Sequence, residues 1–258
     1  MTPGEVTSEL MQDVVRLAER VAEVGREIGL PYIGTSPDIG SPAPMFGPDG
    51  RPFNGDLFRW LDPDLRYWED RGFALRSAFV YATRSCAEPF YFKHGKLASW
   101  RVNPTLDAIN ATYPIDPMGV GTAIVAPAYL PAGVIGAVVW ASPDEDVPVD
   151  RVFAERAVEL HALTLKLMGA YADARLGAGP AEAPVRLTRR EIQCLRWAAA
   201  GKTDHEVADI VGISMPTVRF HITNASRKLH VVGRSQAIHR AATLGYIGAT
   251  PPAARVSA

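Results

Sequence analysis

Leu187-Thr188-Arg189-Arg190-Glu191 and Ser214-Met215-Pro216-Thr217-Val218-Arg219-Phe220-His221 are the stretches that decide the fold of the last quarter of this 258-residue chain. Thr188 is followed three residues later by Glu191, and Thr203 is followed in the same way by Glu206. This spacing predicts two capping boxes, in which side chains bond backbone N–H groups that the first helical turn leaves unpaired. Ser214 marks a third helix start, because Pro216 then falls in the first turn, where a missing N–H costs nothing.

The predicted helices carry apolar residues at helical spacing, which indicates that each buries one face. Gly212 ends the second helix, and the short turn before the third predicts a helix-turn-helix. A fourth helix is predicted from Ser235 to Leu244. The apolar positions are Ile192, Leu195 and Ala199 in the first, Val207, Ala208 and Val211 in the second, Val218, Ile222, Ala225 and Leu229 in the third, and Ala237, Ile238, Ala241 and Ala242 in the fourth.

Positive charge is concentrated in this part of the chain. Residues 185–248 contain ten Lys or Arg against four Asp or Glu, a balance of +6, whereas the remainder has 17 against 24, a balance of −7. The outward positions of the third helix also lack carboxylates. They are Thr217, Arg219, Phe220, Thr223, Asn224 and Arg227. This charge distribution is typical of a nucleic-acid-binding unit.

The same residues resemble a known family. LTxRE, then GK(S/T)xxE(I/V)A, (I/V)SxxTVxxH, KL and a closing LG(Y/L)I, over about sixty residues, are similar to the four-helix DNA-binding domain of LuxR-type transcription factors. The resemblance implies double-stranded DNA as a partner and transcription regulation as the function. We expect base-edge contacts from Arg219, Phe220 and Thr223, phosphate contacts from Thr203, Ser214, Thr217, Arg227 and Lys228, a DNA contact from Met215, and either a phosphate contact or a packing role for His221.

The length of the chain allows two domains, and its 47% hydrophobic content is enough for a core in each. No apolar run of about twenty residues predicts a membrane span, and the first ten residues do not resemble a secretory signal. Cys86 and Cys194 are far apart, which fits neither a disulfide framework nor a metal site. We therefore predict a cytoplasmic protein without metal, cofactor or catalytic site.

The order of predicted elements before residue 177 indicates a second domain. Helices are expected at 9–28, near 104–113 and at 150–175, a surface loop at 34–54, and a hairpin from 121–128 and 133–141. The predicted fold is an N-terminal α/β/α sandwich with an antiparallel sheet and a C-terminal all-α four-helix domain. The predicted boundaries are 1–176 for a sensor and dimerisation domain, 177–184 for a Gly- and Pro-containing linker, 185–250 for the helix-turn-helix domain, and 251–258 for a flexible tail.

The N-terminal part resembles the signal-binding domain of acyl-homoserine-lactone receptors, again in the LuxR family. Pro89-Phe90-Tyr91-Phe92 is similar to the family's PFxW strand, and Gly119-Val120-Gly121 with the following hairpin is similar to its central strands. This resemblance implies quorum sensing and a small-molecule signal, either an acyl-homoserine lactone or a divergent analogue. Eleven aromatic residues between positions 58 and 100 suit either a core or a concave pocket.

The predicted pocket departs from the family at its polar contacts. The family's WxxxY and a later Asp-Pro pair bind the lactone and the amide, but alignment places Ser77 where the carboxylate stands and Tyr67 or Trp68 at the tyrosine. Trp60 is several residues away from the position of the family's tryptophan. The family's usual Ser or Thr on the second hairpin strand falls near Val139. Loss of a charged acceptor should change the relative affinity for different ligands about tenfold or more. The predicted ligand contacts are Tyr67, Trp68, Ser77, Tyr81, Phe92, Trp100 and Val139.

Several functions remain open at this point. The first is a ligand-responsive transcription factor that acts as a homodimer, because helix 150–175 carries more apolar surface than one face can hide. The second is a ligand-independent dimeric regulator whose N-terminal domain is only a scaffold. The third is a phosphorelay response regulator, although residues 1–150 lack the βα alternation of a receiver. Scattered His, Cys and Asp residues show no enzyme motif.

Overall fold

The computed structural model describes residues 3–41, 43–53, 57–62, 72, 75, 77–112, 115, 118–176 and 184–248. Contacts divide the chain into two compact units, one formed by residues 1–130 and 134–180 and the other containing residues 181–258. Most of the predicted linker 177–184 and all of the predicted tail 251–258 lie outside the described residues, as do Tyr67 and Trp68.

The N-terminal unit alternates helices with short strands. In chain order its elements are α1 (Pro3–Glu27), β1 (Tyr32–Ser36), α2 (Ala78–Ser85), β2 (Phe90–Lys93), β3 (Lys96–Ala98), α3 (Pro104–Thr112), β4 (Thr122–Tyr129), β5 (Ile135–Ser142) and α4 (Val149–Leu176). The five strands form one antiparallel sheet in the order β1-β5-β4-β2-β3. Strands β4 and β5 are the predicted hairpin, which is confirmed in register from Thr122 opposite Ser142 to Tyr129 opposite Ile135.

Each face of the sheet has its own hydrophobic core, as alternation of side chains along a strand requires. On one face α1 and α4 pack over Ile33, Ile124, Val138 and Trp140, and the Trp140 indole donates to the carbonyl of Val21 at 3.0 Å. On the other face α2 and α3 pack over Phe90, Phe92, Val125 and neighbouring small residues. This is the predicted α/β/α sandwich with an antiparallel sheet.

One expectation for this unit needs correction, while the predicted homodimer stays a prediction. Residues 34–36 belong to β1 rather than to the predicted surface loop, because pairing of Gly34 with Val139 orders a segment that is too rich in glycine and serine to signal a strand. The excess apolar surface of α4 also has a cover within the same chain. Helix α1 packs along α4, and Arg156 on α4 donates to Glu27 on α1 at 3.2 Å.

The C-terminal unit is helical in its described part. It consists of α5 (Arg189–Ala199), α6 (Asp204–Val211), α7 (Met215–Lys228) and α8 (Arg234–Thr243), which confirms the predicted four-helix domain. Its core includes Leu195, Ala225, Leu229, Ala237 and Ala241. No helix among the described residues is both long and apolar enough to cross a membrane.

Candidate functional site

Helices α5 and α6 begin with the capping boxes that the sequence predicts. The hydroxyl of Thr188 accepts from the backbone N–H of Glu191 at 3.3 Å, and the Glu191 carboxylate accepts from the N–H of Thr188 at 2.7 Å. Thr203 and Glu206 repeat the arrangement at 3.3 and 2.8 Å. Because these bonds fix both helix starts, the site is built on rigid elements.

The turn into α7 is equally well defined. Gly212 ends α6 in the left-handed conformation at φ 70°, which glycine adopts without strain. Ser214 then caps α7 by accepting from the N–H of Thr217 at 3.3 Å. Val218, Ile222 and Ala225 are buried on the inner face of α7. This packing fixes which side chains face away from the domain.

The outer face of α7 presents a cation, an aromatic ring and hydroxyl groups to solvent. The side chain of Arg219 is 64% exposed and Phe220 is 61% exposed, while Thr223 and Arg227 lie on the same outer face. His221 is half-buried, and its ring lies edge-on to Phe220 with 5.7 Å between centroids. These groups suit base edges and phosphates, because they combine charge, hydrogen-bond donors and an apolar surface.

Several predicted phosphate contacts already have structural roles. The hydroxyl of Thr203 donates to Glu206 at 2.9 Å, and the hydroxyls of Ser214 and Thr217 lie 2.7 Å apart. Met215 packs against the core that contains Val218. Ser214 and Thr217 define the geometry of the start of α7. The backbone N–H groups of its first turn point out of the same end of the helix.

Lys228 has a structural partner that the sequence did not indicate. Its Nζ lies 2.9 Å from Oε2 of Glu191, whose side chain is 4% exposed. Burial raises the pKa of Glu191, but the bonds from Lys228 and from the Thr188 backbone outweigh it and hold that pKa below its usual value. Lys228 is therefore the counter-ion of a buried carboxylate, and its predicted phosphate contact stays a prediction.

A second ionic cluster lies beside the outer face of α7. Asp204, the first residue of α6, accepts from Nε of Arg219 at 3.2 Å and also pairs with Arg234 at the start of α8. Arg234 donates in addition to the carbonyl of Lys202. The cluster lines a shallow depression of about 500 Å³ that also includes Thr223, Arg227 and the exposed Val232.

The ligand residues predicted from the sequence do not all share one face of the sheet. Phe92 is buried on the α2/α3 face, where its ring meets Phe79 at 5.3 Å between centroids, and Val139 packs on the same face. Trp100 lies on the opposite face, because its ring packs against Phe153 of α4 at 5.5 Å. Trp100 therefore cannot line a pocket with Phe92, and this prediction is corrected.

Ser77 caps α2 and Tyr81 lies within it, and the two side chains have different surroundings. Ser77 is buried, and its hydroxyl caps α2 by accepting from the N–H of Val80 at 3.5 Å. Tyr81 is on the exposed side of α2.

Trp60 is a neighbour of the α2/α3 face that was not predicted as a site residue. A side-chain atom added at Gly34 would approach the Trp60 ring to 3.1 Å, so the indole lies directly over this glycine. Gly34, Ala123 and Ala141 are small residues on this face, next to the rings of Trp60 and Phe92. The absence of a side chain at Gly34 was the signal that could have found this contact.

Comparison with known proteins identifies the helical domain. Residues 185–241 match the model of the bacterial regulatory proteins of the luxR family. Residues 185–241 are a LuxR-family helix-turn-helix domain. The LuxR-family match begins just before the capping box of α5 and extends into α8, so it covers the whole of α7 with its exposed outer face.

Relatives of the LuxR-family domain are named as regulators of transcription. The chain is 52% identical over 61 residues to the transcriptional activator VanR of Vibrio anguillarum, which covers 24% of this chain and 25% of VanR. It is 37% identical over 131 residues to the quorum sensing-dependent transcriptional regulator VjbR of Brucella melitensis, which covers 50% of this chain and 49% of VjbR. The chain thus spans between a quarter and half of these two relatives.

Among solved structures, the chain is similar to SdiA in complex with octanoyl-rac-glycerol. That similarity covers 92% of this chain and 93% of the SdiA chain, with 19% identity and a TM-score of 0.46.

Proposed function

We propose that this chain is a sequence-specific regulator of transcription that binds double-stranded DNA through the outer face of α7. The observation that carries this proposal is the outward-facing set Arg219, Phe220, Thr223 and Arg227 on a helix whose inner face is fixed in the core. The +6 charge balance of residues 185–248 adds the long-range attraction that phosphates require.

The proposed contacts divide by their chemistry. Arg219 and Thr223 read base edges, and Phe220 meets an apolar base surface such as a thymine methyl group. Arg227 and the start of α7 at Ser214 and Thr217 hold phosphates, and His221 packs against Phe220 while it faces the backbone. This division assigns sequence reading to the middle of α7 and positioning to its two ends.

The test is selection of duplexes from a random library by the purified full chain, followed by binding measurements in a salt series. A regulator of this kind binds its selected duplex at least about 1000-fold more tightly than random DNA, and its affinity falls steeply with salt. Recovery of no shared motif, or binding that does not change with salt, would contradict the proposal.

We further propose that the N-terminal unit holds a small-molecule signal against the α2/α3 face of the sheet. Small residues at Gly34, Ala123 and Ala141 beside the Trp60 and Phe92 rings suit a largely apolar ligand. The missing carboxylate at Ser77 favours a molecule other than a standard acyl-homoserine lactone. Native mass spectrometry of the purified chain tests this proposal through retention of a small molecule.

Two alternative functions are a ligand-independent regulator and a phosphorelay response regulator. A ligand-independent scaffold would give no retained molecule and no thermal shift with any member of a signal library. A phosphorelay receiver is disfavoured by the architecture, since a receiver needs βα alternation whereas the described strands form an antiparallel sheet. The ligand-responsive regulator is therefore the function we propose.

We propose in addition that the functional unit is a homodimer that pairs through α4. Although α1 covers much of α4, a stripe at i, i+4, i+7 spacing stays exposed, and it includes Val158 at 74% and Leu165 at 39% exposure with Ala154 and Ala162 beside them. Helix α8 has less surface for pairing with a second chain than its sequence indicates, because Ala237 and Ala241 are buried within their own domain.

The charges beside this stripe fit a second copy of α4 in antiparallel orientation. A two-fold axis near residue 162 would place Val158 opposite the partner's Leu165 and Glu155 opposite the partner's Lys166. A two-fold axis produces each contact twice, so four opposite charges would meet across the two helices. A dimer would also present two α7 helices for half-sites about 34 Å apart, one turn of DNA.

A further inference from the structure

The carboxylate of Asp204 joins three helices of the DNA-binding domain. Its side chain is 23% exposed at the start of α6, and it accepts from Nε of Arg219 on α7 at 3.2 Å. Its other oxygen pairs with Arg234 at the start of α8, and Arg234 also bonds the carbonyl of Lys202. Asp204 is thus held by the domain while it bonds the exposed arginine in the middle of the outer face.

The bond to Nε leaves the two terminal nitrogens of the Arg219 guanidinium available to bond a base. Arginine reads guanine with its two terminal nitrogens, which bond O6 and N7 side by side in the major groove. A carboxylate on Nε fixes the plane of the guanidinium without occupying the edge that faces the base. It also restricts the many rotamers of a long side chain before binding, which reduces the entropy lost in the complex.

The charge balance of the cluster agrees with such a role. Two arginines share one carboxylate, so the cluster keeps a net positive charge toward DNA. A carboxylate at this place weakens the electrostatic attraction to phosphate. Affinity for DNA alone therefore does not explain its presence. Asp209 on the same helix differs, because it is 70% exposed and pairs with His205 at 3.2 Å.

We propose that Asp204 is a positioning residue that aims Arg219 at a base edge and thereby sets sequence preference at one base pair. This inference rests on the proposed function, since it requires that Arg219 reads DNA. Asp204 itself does not touch the base. It acts through the direction of the Arg219 guanidinium.

The test compares Asp204→Asn with Asp209→Asn, a matched variant that removes the same charge from the same helix. The probe is the duplex that the wild-type chain selects from a random library, together with duplexes changed one base pair at a time. Asp204→Asn should lower the preference for the correct base at one position about tenfold while binding to random DNA becomes tighter. Asp209→Asn should tighten binding to all duplexes and keep every preference.

Equal base preferences in Asp204→Asn, Asp209→Asn and wild type would overturn this inference alone, because wild type would still bind specifically. Absence of sequence-specific binding by wild type would overturn the proposed function as well. Circular dichroism checks that each variant is folded.

A second measurement needs no variant at this position and so does not depend on whether Asp204→Asn folds. The Arg219 Nε–H resonance of the wild-type chain, assigned by its loss in Arg219→Lys, should be protected from solvent exchange both free and on the selected duplex. Rapid exchange of this proton in the complex would show that Asp204 does not hold Arg219 there, and would overturn the inference.

Discussion

The ammonium of Lys228 at the end of α7 lies 2.9 Å from the buried carboxylate of Glu191 in α5. The same carboxylate accepts from the N–H of Thr188 and so belongs to the capping box of α5. One acidic side chain therefore secures both the start of α5 and the end of the helix proposed to read DNA. The pair therefore adds to the core packing that holds α7 against α5.

Replacement of Lys228 by Ala should destabilise the C-terminal domain by about 1–3 kcal/mol, because a buried carboxylate would lose its charged partner. Arg227→Ala is the matched control, since Arg227 is exposed and bonds the neighbouring Asn224 at 3.3 Å. Its removal should change stability by less than about 0.5 kcal/mol and reduce the salt slope of DNA binding by about one unit. Urea unfolding measures the first effect, and equal stabilities of the two variants would contradict the assignment of Lys228.

The second capping box predicts how stability depends on pH. Bonds from the Thr203 backbone, from Lys202 and from the Thr203 hydroxyl lower the pKa of Glu206 to about 2. A carboxyl whose pKa is lower in the folded state stabilises the fold above its unfolded value of 4.5, and this contribution disappears as the pH falls toward about 2. Urea unfolding at about pH 6 and about pH 3 should therefore show a loss of stability on acidification.

Glu206→Gln is the control for this effect, because glutamine can complete a capping box but does not titrate. The variant should lose less stability than wild type on the same acidification. The Glu191 carboxylate, whose pKa is also lowered, would account for part of the remaining loss. Identical losses in wild type and Glu206→Gln would show that the Thr203 box does not titrate in this range.

Charge exchange on α4 tests the proposed dimer. Glu155→Lys would place two cations opposite each other at the partner's Lys166, and Lys166→Glu would place two acids opposite each other, so either change should weaken association. The double variant restores opposite charges and should recover the dimer. Sedimentation across a concentration series measures the dissociation constants, and a monomer in wild type, or no recovery in the double variant, would contradict pairing through α4.

Ser77 allows a direct test of the inferred ligand class. Asp is as good a helix cap as Ser, so Ser77→Asp should keep α2 intact and offer its second oxygen to a ligand amide. We expect this variant to bind a standard acyl-homoserine lactone about tenfold more tightly than wild type. Ser77→Ala loses the cap at a cost of about 1 kcal/mol and should not gain binding. Micromolar or tighter binding by wild type that Ser77→Asp leaves unchanged or weakens would show that Ser77 does not stand at the family's aspartate.

Interactions between residues close in sequence could be predicted, and those between distant residues could not. Thr188 with Glu191, and Thr203 with Glu206, are three residues apart, so helix geometry alone brings them together. Glu191 and Lys228 are 37 residues apart, and their contact depends on how α5 and α7 cross. Lys228 was consequently predicted only as a phosphate contact.

The same distinction explains the errors in the N-terminal unit. Aromatic content indicated a pocket, but it did not show that Phe92 and Trp100 are on opposite faces. Trp100 follows the end of β3, and its position is set by packing against Phe153, which is far away in sequence. Strand β1 was hidden in a polar, Gly-containing segment and is ordered by β5, about a hundred residues later. Helix α1 covers much of the apolar surface of α4 that suggested a second chain.

Replacement of Arg219 by Ala tests whether the outer face of α7 reads DNA sequence. Dissociation constants of wild type and this variant would be measured on the selected duplex, on its single-base-pair variants and on random DNA at fixed salt. We expect Arg219→Ala to lose about 1–3 kcal/mol of binding free energy on the selected duplex, to relax the preference at one base pair, and to lose much less on random DNA. Equal losses on selected and random DNA, with every base preference intact, would contradict it.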